Sequence, residues 1–215
     1  MLFLAGQYLD FLLKDGRRRS FSMANAPHEN DLIELHIRRI EGGYFTNFVF
    51  SELQEGALLR IEGPHGCFLL DEASQKPLIM VAGGTGFAPI KSLIEHMIHM
   101  KDDRPIALFW GARDAQDLYM ADLVAQWMDT RPNFEYTPVL SRLNDTDNWR
   151  GVRGRVHEAV VAVHPDLSRH DVYVCGPPAM VKASRAAFLR CGLAEDSLHS
   201  DAFEFANNQR GEQPA

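Results

Sequence analysis

From Pro77 onward the chain repeats one pattern: a short apolar run, a turn marked by glycine or proline, then an amphipathic segment. Leu78-Ile79-Met80-Val81-Ala82 is continuously apolar, the mark of a strand buried on both faces. Gly83-Gly84-Thr85-Gly86 follows, and then Ile90, Leu93, Ile94, Met97 and Ile98 at the spacing of one helix face. The alternation continues as strand 106–110, helix 118–128, strand 135–140, helix 156–163, strand 172–175, helix 179–190 and a last strand near 198–203. Strands separated by helices pair in parallel, so this part is expected to form a doubly wound parallel sheet. Such sheets bind ligands beyond the carboxyl ends of their strands.

The residues before this have a different period. Over 32–39, Leu35 and Ile37 fall on one side and Glu34, His36 and Arg38 on the other, the alternation of a half-buried strand. Segments 7–13, 18–24 and 58–62 have similar lengths, with turn residues between them, and Gly42-Gly43 introduces a helix over 44–53. Gly63-Pro64-His65-Gly66 is a turn by composition. The expected organisation is a small antiparallel barrel over 1–74 followed by an α/β unit over 75–215.

Composition narrows the partners. A formal charge of -7 and a pI near 5.7 argue against nucleic acid as the main ligand. The apolar runs are too short for a membrane span, and Met1–Gly6 lacks the basic stretch of a signal peptide. Cys67, Cys175 and Cys191 are odd in number and widely spaced, which predicts reduced thiols in a cytoplasmic protein and no zinc or iron–sulfur spacing. His96 and His99 are one helical turn apart, but without a third ligand they read as a solvated helix face rather than a metal pair.

Four short motifs carry chemistry. Gly83-Gly84-Thr85-Gly86-Phe87-Ala88-Pro89 lies between a buried strand and a helix, where glycines admit a pyrophosphate and the helix end offers free N–H groups. Pro89 suits an early helical position, and it replaces the third glycine of the usual dinucleotide fingerprint. Cys175-Gly176-Pro177-Pro178-Ala179-Met180 ends another strand; Cys175 points into the crevice or, as free cysteines more often do, fills core space. Arg19-Ser20-Phe21-Ser22 offers a guanidinium for a phosphate, a ring for stacking and a hydroxyl donor. Gly42-Gly43-Tyr44-Phe45-Thr46 opens a helix whose N-terminus is a second anion site or a plain cap.

The order of these motifs, with Gly-Pro-x-Gly between the second and third along the chain, resembles the ferredoxin–NADP reductase superfamily over essentially the whole sequence. The likeness is nearest to oxygenase-type reductase components, flavin reductases and CDP-6-deoxyglucoseene reductases. It implies a flavin-binding barrel, lacking its first strands, followed by an NAD(P)-binding domain. It implies that Arg19 holds the flavin phosphate, Phe21 stacks on the isoalloxazine and Ser22 bonds N5, with Phe in place of the family's Tyr. Gly42, Gly43 and Thr46 match the pyrophosphate helix, which favours FAD over FMN, and His36, Ile37 and Arg38 match the strand beside the adenosine. Gly84, Thr85, Gly86 and Pro89 correspond to the nicotinamide nucleotide loop; Cys175, Gly176, Pro177 and Met180 border the nicotinamide; Phe203 corresponds to the terminal residue near the flavin. Ser22, Thr85 and Cys175 would then stand nearest the reaction.

The same resemblance puts the nucleotide ribose near Gly111, Arg113, Ser141 and Arg142, leaving NADH and NADPH open with a lean to NADPH. It predicts a hydride passed from NAD(P)H to FAD and electrons passed to an iron–sulfur protein or module, in a longer parent chain or separate, and so to an oxygenase or dehydrase. A free-flavin reductase and a non-enzymatic nucleotide-binding subunit are the other readings.

Overall fold

A computed structural model describes residues 1–13, 15–142, 149 and 151–202. Its first sheet centres on β1 (Tyr8–Leu12), which pairs antiparallel with β2 (Arg18–Ser22) and β3 (Ile61–His65) in the order β2-β1-β3. The alternation of β1 sorts its faces. Leu9 and Phe11 pack with Phe3, Met23 and Phe45, the last from helix α1 (Tyr44–Ser51). On the other face Asp10 accepts from Ser20 Oγ at 2.6 Å and lies 3.4 Å from the Arg18 guanidinium.

Two expectations are corrected here. Segment 32–39 has the predicted alternation but no ladder, only a single antiparallel bridge from Met23 to Leu35. Leu35 and Ile37 pack on the aromatic cluster of the first sheet, whereas Glu34 and His36 reach Lys91 and Tyr119 of the α/β part. The period of two therefore reflects a segment held between two bodies, not a sheet strand. Gly63-Pro64-His65 lies within β3 instead of forming a turn, and Leu58 to Arg60 precede the strand. Proline is tolerated there because β3 is an edge strand with a register shift opposite Tyr8 and Asp10.

The second sheet is parallel throughout. It comprises β4 (Leu78–Gly83), β5 (Ile106–Ala112), β6 (Phe134–Leu140), β7 (Val152–Arg153), β8 (Asp171–Gly176) and β9 (Leu198–Ala202), in the order β7-β6-β5-β4-β8-β9. Helices α2 (Phe87–Met100), α3 (Ala121–Thr130), α4 (Val156–Val163) and α5 (Pro178–Arg190) connect them. Helix α3 starts three residues later than expected, after a 3-10 turn at Ala115–Asp117.

Alternate residues of β4 feed two cores. Leu78, Met80 and Ala82 join Phe87, Ile90, Leu93, Trp110, Tyr173 and Cys175, while Ile79 and Val81 join Phe109, Val139, Val172, Val174 and Phe188. From β4 the chain builds outward through β5 to β7, then returns to β4's other edge as β8. The reversal puts the switch point at the carboxyl ends of β4 and β8, where a crevice must open. The motif loops 83–86 and 175–178 sit there.

Candidate functional site

The loop after β4 is shaped by its neighbours. Gly84 has φ +54°, a left-handed value that glycine adopts without strain, and its carbonyl accepts the indole N–H of Trp110 at 3.0 Å. Trp110 also stacks face to face on Phe87, the first residue of α2, with centroids 3.9 Å apart. A methyl group on Gly86 would strike the Cys175 carbonyl and come within 2.9 Å of Gly176 Cα. One on Gly83 would meet Pro177 Cδ at 2.9 Å and also Met180. Gly83, Gly86, Gly176, Pro177 and Met180 are thus one packed unit, which brings the two expected nucleotide loops side by side. Pro89 is buried in the first turn of α2.

Cys175 does not open to the crevice. Its side chain is fully buried in the core, between Ala82 and Asp201 in the ladder, and burial pushes the thiol well above its ordinary value. A thiol so placed stays protonated and fills space; it is no nucleophile at neutral pH. Gly111 likewise owes its lack of a side chain to packing, because a methyl group would approach Val156 Cβ to 2.9 Å. Arg113 and Arg142 are exposed and adjacent: Ser141 N and Arg142 N donate to the carbonyls of Ala112 and Arg113, each at 3.0 Å. The Ser141 hydroxyl is spent on the Ala112 carbonyl at 3.1 Å.

On the first sheet, Phe21 is half-buried and packs on Phe45 and edge-on to Phe11, with centroid distances of 5.3 and 5.8 Å. Ser22 is 3% exposed, and its hydroxyl has no hydrogen-bond partner. Buried hydroxyls are normally satisfied, so this one keeps its hydrogen-bonding capacity unused, as do those of Tyr136 and Ser184. Arg17 and Arg18 are paired with Asp15, Asp10 and Glu62, whereas Arg19 has no carboxylate partner among the described residues. At the start of α1, Gly42 has φ +72° and no side chain caps the helix. Thr46 Oγ1 instead braces the preceding turn, bonding both Ile40 N and Ile40 O at 3.2 and 3.1 Å. Any anion there would meet backbone N–H groups rather than this hydroxyl. Phe203 lies outside the described residues.

The two halves meet around a cavity of about 380 Å³ lined by His36, Ile37 and Arg38 on one side and Gly84, Thr85, Gln116, Asp117 and Tyr119 on the other. Arg38 reaches Asp117 at 3.3 Å. Burial holds His36 below its ordinary value in spite of Glu34, and burial drives the Tyr119 phenol far up. Both rings are therefore neutral at pH 7. The arrangement that satisfies them has Tyr119 O–H donating to His36 Nδ1 at 2.7 Å and His36 Nε2–H donating to Glu34 at 2.8 Å.

Sequence reasoning missed Glu34, Lys91, Gln116, Asp117 and Tyr119 as site-forming residues. A usable signal existed for Lys91, a lysine amid the apolar positions of α2 with a glutamate four residues on. His96 and His99 take other partners: His96 lies 3.2 Å from Glu72, and His99 stacks on His28. No cluster of three potential metal ligands exists among the described residues. Nor, among them, is any helix long and apolar enough to cross a membrane.

Comparison with known proteins agrees with this geometry. Residues 1–69 match the Oxidoreductase FAD-binding domain family and residues 80–186 the Oxidoreductase NAD-binding domain family. The chain is 46% identical over 201 residues to the CDP-6-deoxy-L-threo-D-glycero-4-hexulose-3-dehydrase reductase of Yersinia pestis, covering 94% of this chain and 60% of that protein. It is 42% identical over 201 residues to terephthalate 1,2-dioxygenase reductase component 1 of a Comamonas species, covering 94% and 59%. The crystal structure of the Amycolatopsis cytochrome P450 reductase GcoB superposes with a TM-score of 0.88 at 34% identity, over 94% of this chain and 62% of that one. This chain therefore spans about three fifths of the length of these relatives. With an FAD-binding and an NAD-binding oxidoreductase domain joined at the switch-point crevice, it belongs to the ferredoxin–NADP reductase superfamily.

Proposed function

We propose that this chain transfers a hydride from NADH or NADPH to FAD and passes the electrons to an iron–sulfur protein or module serving an oxygenase or dehydrase. The observation that carries this reading is the shared cavity, in which the expected flavin-side segment 36–38 faces the expected nicotinamide loop at Gly84 and Thr85. FAD fits the residues present, since the Ser22 hydroxyl is buried without a partner and the start of α1 is uncapped beside Arg19's strand. When bound, FAD supplies the two-electron acceptor for the nicotinamide's hydride. The chain's own work is positioning. In this reading Arg19 and the turn at Gly42, Gly43 and Thr46 bind the phosphates, Phe21 supports the ring and Ser22 donates to it. His36, Ile37 and Arg38 flank the adenosine half. Gly84, Thr85 and Gly86 hold the nicotinamide nucleotide, Gly176, Pro177 and Met180 close its far side, and buried Cys175 shapes that wall.

The reading divides the chain at 74/75 and places it in the cytoplasm. The dehydrase and dioxygenase reductases among its relatives support the acceptor class. The test is an absorption spectrum after FAD addition and desalting, followed by anaerobic NADH or NADPH. A retained flavin band that bleaches with one nucleotide supports the proposal. A retained band that neither nucleotide bleaches refutes it, and turnover of added free flavin without retention selects the flavin-reductase alternative.

A further inference from the structure

Lys91 lies in the first half of α2, six residues beyond Thr85, and is 4% exposed. A buried ammonium is costly unless all its donors are used. Here they are: Nζ donates to Ala24 O at 3.3 Å, Glu34 Oε2 at 3.0 Å and Glu95 Oε2 at 2.8 Å. Two of these acceptors belong to the first sheet's half, and only Glu95 is on Lys91's own helix. Burial opposes the charge, but the bonds to Glu95 and Glu34 outweigh it and hold the lysine above its ordinary value.

The segment Lys91 grips is a closed loop. Ala24 N donates to Glu34 O at 2.8 Å and Glu34 N to Asn25 Oδ1 at 2.9 Å, while Asn25 Nδ2 ties Glu29 O and Leu32 O at 2.7 and 3.0 Å. Ser92, the next residue on α2, donates to Asn25 O at 2.8 Å. The loop leaves β2 two residues after Ser22 and leads to His36 at the cavity wall.

We propose that Lys91 is a positioning residue, which clamps the closed loop Ala24–Glu34 onto α2 and so sets how the strand bearing Ser22 approaches the loop bearing Thr85. An apolar residue would fill the same volume without choosing between the two halves. Lysine joins them because its three donors reach one carbonyl and two carboxylates at once. The clamp follows from geometry alone; its effect on hydride transfer rests on the function proposed above.

Hydrogen exchange on the cofactor-free chain tests the clamp. Lys91→Met and Glu34→Gln are expected to speed exchange in peptides covering 24–36 by about tenfold or more, leaving peptides of β5 and β6 unchanged. Glu95→Gln, which leaves the bonds from Lys91 to Ala24 and Glu34 in place, is expected to leave 24–36 near the wild-type rate. If Lys91→Met unfolds the chain, Glu34→Gln carries the test. Wild-type exchange over 24–36 in Glu34→Gln overturns the clamp. With FAD bound and nucleotide saturating, Glu34→Gln is expected to slow flavin reduction by roughly tenfold while KM shifts less than about threefold. Faster exchange with an unchanged reduction rate overturns the positioning role. A wild-type chain that binds FAD but is not reduced rejects the proposed function and leaves the exchange result standing.

Discussion

The indole N–H of Trp110 donates to the carbonyl of Gly84 at 3.0 Å, tying the end of β5 to the turn that follows β4. Phenylalanine at this position keeps a ring against Phe87 but cannot donate. Trp110→Phe is expected to cost about 1–3 kcal/mol, from one lost hydrogen bond and some lost volume. A loosened Gly84 should also raise the KM for NAD(P)H by roughly five- to tenfold, equivalent to about 1 kcal/mol. Urea unfolding and steady-state kinetics read the two effects separately. A stability loss with an unchanged KM would show that the bond holds the fold and not the loop.

Gly86 offers a sharper separation, because a methyl group there meets the backbone of Cys175 and Gly176, which cannot swing aside as a flexible side chain can. Gly86→Ala must push α2's first turn away from β8. The expected cost is about 1–3 kcal/mol by analogy with overpacking. Nucleotide binding should be lost while FAD binding stays within about threefold, since the atoms nearest that methyl group all belong to β8. Titration of each ligand separately checks this, and equal loss of both would contradict it.

Much of this arrangement was legible in the residues. The apolar run 78–82 and the alternation after it gave the parallel sheet, because a strand buried on both faces has no polar positions to blur the period. The segment 32–39 misled because two residues of its polar face, Glu34 and His36, are held by an ion pair and a hydrogen bond to another part of the chain, contacts that no local period encodes. Pro64 misled in the opposite sense: it marks an interrupted edge strand, which composition alone cannot separate from a turn. The motif glycines were found, but their reasons differ. Gly84 serves the loop's conformation, whereas Gly111 makes room for Val156. Tyr119 and Asp117 were invisible as site residues because their partners, His36 and Arg38, are distant in sequence, whereas Lys91 carried a local signal in Glu95.

Ser22 makes a prediction with two opposite signs. In the cofactor-free chain its buried, unpartnered hydroxyl is a liability, and Ser22→Ala should raise stability by about 1 kcal/mol. In the proposed function FAD supplies the partner of this hydroxyl, so the same change should leave FAD in place yet slow flavin reduction, by roughly tenfold for one lost donor. Thermal unfolding without FAD and stopped-flow reduction with it measure the two signs. Equal reduction rates for mutant and wild type would remove Ser22 from the mechanism.

The histidines are expected to weaken the fold in mild acid. Burial holds His28, His36, His157, His164, His170 and His199 below the ordinary value of 6.5. A depressed histidine binds its proton more readily in the unfolded chain, so its stability contribution is full above 6.5 and is lost as pH falls toward the folded value. Glu95 and Asp201, raised by burial, work in the other direction. Six groups against two predict an unfolding midpoint that falls between pH 7 and pH 5. His36→Gln, which removes one of the more deeply buried of the six, should flatten the slope. A midpoint that rises toward pH 5 would mean the carboxylates dominate.

Nucleotide choice is expected to turn on Arg113 and Arg142, whose backbones are joined by the bond from Arg142 N to Arg113 O at 3.0 Å. Both are exposed at the ends of neighbouring strands, and neither has a carboxylate partner among the described residues. Two exposed guanidiniums carried on backbone-bonded neighbours would suit a phosphate dianion, with charge-assisted bonds worth about 1.5–3 kcal/mol each before solvent screening. The exposed setting reduces that, so the double change Arg113→Ala and Arg142→Ala is expected to weaken NADPH by roughly tenfold. NADH, which lacks the 2′-phosphate, should change by less than about twofold, and added salt should weaken NADPH in the wild type more than in the double mutant. Isothermal titration with each nucleotide at two salt concentrations distinguishes the outcomes. A parallel loss for both nucleotides would move the pair from the 2′-phosphate to the pyrophosphate that NADH and NADPH share.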